Sequence, residues 1–323
     1  MAAETTPALS VILVATDNYV LIRNAVRNLT RQSGVALELV IAAPRTLTAS
    51  IAADDAADLS SFARWQHVVI AEGTAFDDAR AAAVRAASAP IVAFTEDHSF
   101  PQPGWATALV EAFVDGVSVV GPVVHNGNPR SVTSRANFLL EYGDWMPPGR
   151  RNGHSHLPGH NSAYRRDVLL ALGDRLTPMI EAESVLHWEL GRSGHRLTQE
   201  PNAATRHVNF SRFGPSIALR YHLGRAFAVR RSAEWSAVKR LGYAVAFPLI
   251  ALVRVARVAR MGLRSNEVAS TMTALPMVAA MVTVSSVGEA VGNVTRQAAS
   301  STAYLSDIEH NRRRFMRKDD VVG

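Results

Sequence analysis

Short apolar runs at Ser10–Ala15, Leu37–Ala42, His67–Ile70 and Ile91–Phe94 alternate with helix-like stretches at Tyr19–Gln32, Ala49–Phe62 and Phe76–Ala87. Predominantly apolar runs of this length are strands covered on both faces, and their alternation with helices builds an α/β protein around a largely parallel sheet. The alternation persists to about residue 120. After a further apolar run at Val117–Val124, the pattern loosens into a turn at Asn126–Arg130, a helical stretch at Ser134–Tyr142 and a Gly-, Pro- and His-rich loop from Met146 to His160. Loops of that length in compact domains commonly carry function. Tyr164–Leu172 and Ser184–Arg192 read as helices, stopped by Gly173 and Gly194, and a strand-like piece led by Pro201 runs to His207.

The fourth apolar run ends in Glu96, Asp97 and His98, followed by a Pro/Gly turn. Ligands of open α/β sheets sit just beyond the carboxyl ends of such strands. Two carboxylates and an imidazole offer hard oxygen and one nitrogen, a donor set for Mn2+ or Mg2+ on a diphosphate. The residues alone equally allow a solvated loop in which Asp97 or Ser99 caps the next helix. The chain has no cysteine, which excludes disulfides, thiolate metal sites and cysteine nucleophiles. His154, His156 and His160 have zinc-like spacing, but no thiolate or nearby carboxylate supports it.

Of the 323 residues, 48% are hydrophobic, enough for one large domain and an appendage. The first apolar run lacks the positive flank and length of a secretory signal and reads as a strand. The net charge of +6 is uneven: between Arg212 and Arg264 many arginines and Lys239 are opposed only by Glu234. Ile217–Arg231 is a basic helix. Leu241–Val253 is uncharged but shorter than a membrane span and is followed by arginines at three-residue spacing, the pattern of a helix lying in a membrane surface. Val268–Gly288 is long enough to span, though diluted by Thr, Ser and Pro276. A soluble helical pair packed on the domain is the alternative. Arg312–Lys318 reads as a solvated basic tail. The arginines lack interleaved aromatics in a recognisable module, so nucleic acid is not the expected partner.

From residue 8 to about 210 the order of segments resembles a family 2 glycosyltransferase of the GT-A fold, of bacterial polysaccharide type. The motifs are Thr16 and Asn18 after the first strand, a helix ending at Gln32, a second strand led by Glu38, Arg80 ahead of the acidic strand, and the acidic motif itself. The resemblance implies a Rossmann-like mixed sheet flanked by helices, with a C-terminal helical extension. It divides the chain into a catalytic domain (1–210), a helical, membrane-associated region (211–310) and a basic tail (311–323). It implies an inverting enzyme that moves a sugar from a nucleotide-diphosphate donor to a hydroxyl of a glycan or lipid-linked acceptor, in polysaccharide biosynthesis on the cytoplasmic, inner face of the cell membrane, against anionic lipid. By the same resemblance Thr16, Asn18, Arg80, Glu96 and Asp97 bind the nucleotide-sugar, while Glu96, His98 and His207 hold Mn2+ or Mg2+. The segment IEAESVLHWELGRSGHRL places Glu183 at the catalytic base, with Glu181 as alternative, and LPGHNSAYRRDVL places His160 and Asn161 at the acceptor. The chain departs from the family at His98, where the acidic motif normally ends in Asp, and at Ala42-Ala43-Pro44, where an Asp normally reads the base. A nucleotidyltransferase releasing pyrophosphate and a non-catalytic nucleotide-sugar or glycan-binding protein are the alternative functions.

Overall fold

The computed structural model describes residues 6–317 and residue 320. Its strands are β1 (Leu9–Val14), β2 (Leu37–Pro44), β3 (Arg64–Ile70), β4 (Ile91–Thr95), β5 (Ser99–Pro101), β6 (Val117–Asn126), β7 (Ala163–Arg165) and β8 (Arg196–His207). The helices are α1 (Tyr19–Leu29), α2 (Ala53–Ser60), α3 (Phe76–Ala86), α4 (Trp105–Glu111), α5 (Val132–Glu141), α6 (Arg166–Leu170), α7 (Leu176–Glu181) and α8 (Glu183–Arg192). They continue with α9 (Phe213–Arg231), α10 (Ala237–Val245), α11 (Phe247–Leu263), α12 (Val268–Thr295) and α13 (Ala299–His310). The chain forms two units: residues up to His125 with Trp145–His207, and Asn126–Asp144 with the residues from Val208 onward.

In the first unit every residue of β2 and β4 is buried, Glu38 and Thr95 included, as strands covered on both faces require. The strands form one sheet in the order β3-β2-β1-β4-β7-β6-β8-β5. Parallel pairing of β3, β2, β1 and β4 gives way to antiparallel pairing of β4 with β7, β7 with β6, and β5 with β8. On one face Leu9, Val11 and Leu13 of β1 meet Tyr19, Ile22, Val26 and Leu29 of α1 and Trp105 and Leu109 of α4 in a single core. The α1 residues recur at spacings of three and four, so one helix stripe is spent on the sheet.

Three local expectations are corrected. Tyr164 belongs to a strand, because Ala163 and Tyr164 complete the sheet between β4 and β6, and the helix begins only at Arg166. The stretch from Ala49 is split: a 3-10 turn at Arg45–Ser50 precedes α2, whose Asp55 accepts from the Ala52 amide and from Arg23 of α1. Ser99 caps nothing; it opens β5, and the next helix starts at Trp105. The sheet ends there in a three-residue strand closed by Pro101.

In the second unit α9 and α12 cross closely. A Cβ on Gly224 would collide with the Ser285 carbonyl, and one on Gly288 with the Tyr221 carbonyl, so glycine at these places lets the two backbones touch. Buried Glu289 of α12 pairs with Arg231 of α9 at 3.1 Å and with Arg254 of α11. Asn137 of α5 donates to the Phe210 carbonyl at 2.8 Å and accepts from Arg220 at 2.6 Å, tying α5 to α9. Of the described helices, α12 alone is long and apolar enough to cross a membrane; α10 and α11 reach that measure only together, and they are bent by 60°. The expected solvated tail is partly folded: Arg312 donates to the Val208 carbonyl and stacks over Phe210, and Met316 is buried. Lys318 lies outside the described residues.

Glu38 shows what the sheet spends on one buried charge. It is fully buried on β2, and its carboxylate accepts from Ser10 Oγ of β1 at 2.5 Å, the Ser88 amide at 2.7 Å and Gln66 Nε2 of β3 at 2.9 Å, with Arg64 at 3.4 Å. Burial works to raise its pKa, but these donors outweigh burial and hold it below the ordinary glutamate value. Its contribution to stability is therefore complete above the unfolded-state pKa and is lost as the pH falls through the lower folded-state pKa. Glu38→Gln is expected to cost about 3 kcal/mol at neutral pH by leaving donors facing an amide. Urea unfolding measures it, and the gap from wild type should shrink on acidification; identical midpoints at neutral pH would refute the role.

Candidate active site

The site is built where the two halves of the sheet meet. β1 and β4 run parallel with Leu13 opposite Thr95, so the loop carrying Thr16 and Asn18 and the loop carrying Glu96, Asp97 and His98 leave the sheet at the same edge. Antiparallel pairing sets Ser99 of β5 opposite His207 of β8, which carries a residue distant in sequence to the acidic motif. Glu96 Oε2 then lies 3.7 Å from His98 Nε2 and 3.5 Å from His207 Nε2, and the two rings meet edge to face.

Burial works to raise the Glu96 pKa, but His98, His207 and His160 overcome it and hold the carboxyl well below its ordinary value. Glu96 is also braced: Asn161 Nδ2 donates to Oε2 at 3.1 Å, while Asn161 Oδ1 accepts from Ser99 Oγ at 2.5 Å, and Ser99 in turn meets Thr205 Oγ1 at 2.9 Å. Asn161 was expected at the acceptor. It is buried with both ends of its amide engaged, so its visible work is to orient Glu96. Asp97 turns away to His98 Nδ1 at 2.6 Å, fixing the ring so that Nε2 faces Glu96.

A second cluster adjoins the first. His160 stands between Glu96, whose Oε1 is 3.8 Å from Nδ1, and Glu183, which contacts Nε2. Arg80 Nη1 lies 2.9 Å from the same Nε2, and Arg80 also reaches Asp77 at 3.0 Å. With a proton on Nε2 the ring donates to Glu183; without it, Nε2 accepts from Arg80. Burial and Arg80 work against charge on His160, yet Glu183 and Glu96 outweigh them and raise its pKa. Burial likewise works to raise Glu183, and His160 and Arg80 more than reverse this, so its pKa is lowered. Glu183 is the first residue of α8, and it comes this close because Gly159 has no side chain: a Cβ there would lie 2.5 Å from Glu183 Cδ. Glu181, the alternative carboxylate, is exposed at the end of α7.

Asn18 occupies the N-cap position of α1 but makes no capping bond; its amide donates to Asp17 at 3.1 Å, and its Oδ1 is buried without a hydrogen-bond partner. At the end of β2, Ala42 and Ala43 are buried, so no carboxylate stands at that strand's end. His154 and His156 are held locally, by the Arg150 carbonyl and Ser155 hydroxyl, and join no metal-capable group among the described residues. Glu96, His98 and His207 do form one, with ligand atoms all within 4.8 Å of one another. Thr205 carries no recognisable signal in the sequence, because its contact with Ser99 depends on strand pairing across a long separation.

No curated protein matches this chain. Among solved structures, GalNAc-T7 with UDP, GalNAc and Mn2+ is similar over 62% of this chain and 43% of its own, at 11% identity and a TM-score of 0.49. The chain thus spans less than half the length of that protein. A mannosyltransferase from Pyrobaculum calidifontis, in complex with GDP-Man and Mn2+, is similar over 97% of this chain and 82% of its own, at 17% identity and a TM-score of 0.47. Glucosyl-3-phosphoglycerate synthase from Mycobacterium tuberculosis, with phosphoglyceric acid, covers 64% and 73% at 16% identity and a TM-score of 0.38. The mixed sheet flanked by helices, followed by a helical region, is a GT-A fold. The family model described as glycosyl transferase family 2 matches residues 10–173, more than half of the chain, and the protein belongs to that glycosyltransferase family.

Proposed function

We propose that the protein is an inverting glycosyltransferase that moves a sugar from a nucleoside-diphosphate donor to a hydroxyl of a glycan or lipid-linked acceptor. The observation that carries this reading is the junction at His160, which joins the Glu96–His98–His207 cluster to Glu183 and Arg80 at one sheet edge. One carboxylate oxygen and two imidazole nitrogens suit Mn2+ better than the oxygen-seeking Mg2+, and their 3.5 and 3.7 Å separations are slightly wider than the spacing of about 3 Å between adjacent ligands on an octahedral ion with bonds of about 2.1 Å. A divalent ion held there would neutralise charge developing on the departing diphosphate.

The chain's own groups then have separate tasks. Thr16 and Asn18 stand at the sheet edge where the nucleotide binds, and the buried Asn18 Oδ1 makes no hydrogen bond of its own. Arg80 is buried and aimed at the cluster, in reach of a phosphate oxygen. Glu183, ionised at neutral pH, takes the proton of the acceptor hydroxyl as that oxygen attacks the anomeric carbon. The bond from that carbon to the diphosphate breaks on the opposite face, and the configuration inverts. His160 holds the base and contacts the acceptor.

The helical unit supports a membrane partner. Val238, Leu241, Val245, Leu249 and Leu252 recur at spacings of three and four along α10 and α11, and Val238 and Val245 are 83% and 71% exposed. Lys239, Arg260 and Arg264 flank them on the surface. Apolar side chains with basic neighbours fit an anionic leaflet, at about 1 kcal/mol per basic residue near the surface. We infer an enzyme of polysaccharide biosynthesis that works at the inner face of the cell membrane.

Three outcomes test the reading. Glu183→Gln is expected to slow transfer by about 10²–10⁴; turnover near wild type removes it as base. In a screen of UDP-, GDP- and dTDP-sugars with Mn2+, Mg2+ or chelator, turnover should need the ion and should collapse in His98→Ala; chelator-resistant wild-type turnover refutes the ion, and ion-dependent turnover unchanged in that variant takes His98 out of the ion's shell. The full chain should sediment with phosphatidylserine-containing vesicles more than with phosphatidylcholine alone, and Leu249→Glu with Leu252→Glu should abolish the difference; equal partitioning of all samples refutes the membrane assignment.

A further inference from the structure

His187 and Tyr164 form a buried polar pair that the proposed chemistry does not use. His187 is 1% exposed on α8, and Tyr164 is 1% exposed on β7. The Leu157 amide donates to His187 Nδ1 at 3.2 Å, so the ring proton sits on Nε2 and is donated to Tyr164 Oη at 2.9 Å. The hydroxyl in turn donates to the Gly159 carbonyl at 3.4 Å. The two rings stack with an interplanar angle of 15°. Burial pushes the His187 pKa down to about 4, so the neutral ring that this chain of bonds requires persists at physiological pH. Two points of one turn, Leu157 and Gly159, are thus clamped by a helix residue and a strand residue together.

That turn closes on itself through Asn161 N–H to the Pro158 carbonyl at 2.9 Å and Ser162 N–H to the Gly159 carbonyl at 3.2 Å, and its tip presents His160 and Asn161. His187 lies four residues after Glu183, on the same face of α8. Tyr164 sits in the middle of the sheet between β4 and β6. The link therefore fixes helix, turn and sheet relative to one another at the point where Glu183 meets His160. A leucine and a phenylalanine would fill the same space with no buried polar groups to satisfy.

We propose that His187 and Tyr164 are positioning residues for sugar transfer: their hydrogen-bonded link sets the turn that carries His160 against the start of α8 that carries Glu183. The inference rests on Glu183 as the base. Tyr164→Phe keeps the ring and removes only the link, and a misplaced base loses between about 10- and 100-fold in rate.

The test uses the full chain with the nucleotide-sugar and ion of fastest wild-type turnover in the screen above. Tyr164→Phe should lower kcat by that amount with the donor KM and Mn2+ affinity unchanged, and His187→Gln, which keeps a donor and an acceptor, should retain more activity than His187→Leu. Combining Tyr164→Phe with Glu183→Gln should be no slower than Glu183→Gln alone, because the effect passes through that carboxylate. Hydrogen exchange, independent of any substrate, should quicken at the Asn161 and Ser162 amides in Tyr164→Phe while the β1, β2 and β4 amides stay protected. Wild-type kcat in Tyr164→Phe, unchanged exchange at the turn, or fully multiplicative losses in the double variant overturns the inference. A Glu183→Gln enzyme with wild-type turnover instead overturns the base assignment, which keeps the two failures apart.

Discussion

Short antiparallel pairing between β5 and β8 is the constraint on which the site depends. Ser99 opposite His207 brings a histidine from far along the chain to the strand that follows the acidic motif, and Thr205 and Asn161 lock that strand through the Ser99 hydroxyl. Without this pairing Glu96 would lose His207 and keep His98, His160 and Asn161 around it. With it, the low pKa of Glu96 is supported by imidazoles from three separate segments, and the charge can stay in a half-buried place.

The parallel half of the sheet was legible because its evidence is local. Ile91–Phe94 is an unbroken apolar run, Leu37–Ala42 is one interrupted only by Glu38, and α1 carries a clean stripe, so period and length suffice. The antiparallel half was not. β5 and β7 are three residues each, too short to show any period, and Tyr164 sits in a stretch with helix-forming neighbours; pairing with β4 and β6 overrides that propensity. The site divides along the same line. Glu96, Asp97 and His98 follow a readable strand, whereas the place of Glu183 was suggested only by family resemblance. Asn161, a polar residue after a glycine turn, gives no sign in the sequence of the Glu96 carboxylate that it faces.

The helical unit rests on different physics from the sheet. α9 and α12 are held by backbone contact at Gly224 and Gly288 and by Glu289 between two arginines, with many apolar side chains left outside. Close packing through small residues does not need burial of large side chains, so α10 and α11 keep leucines and valines exposed without loosening the crossing. Sequence showed the basic and apolar composition of this region, but not the 60° bend that divides Leu241–Val253 between two helices.

Pro101 at the end of β5 has a consequence for the sheet as a whole. β5 is the outermost strand on the side of the site, it is three residues long, and its last residue has no N–H to offer. An extended peptide therefore finds almost no ladder to continue there. The edge that holds Glu96, His98 and His207 is closed to strand addition, so the side of the sheet nearest the chemistry resists both aggregation and capture by another chain.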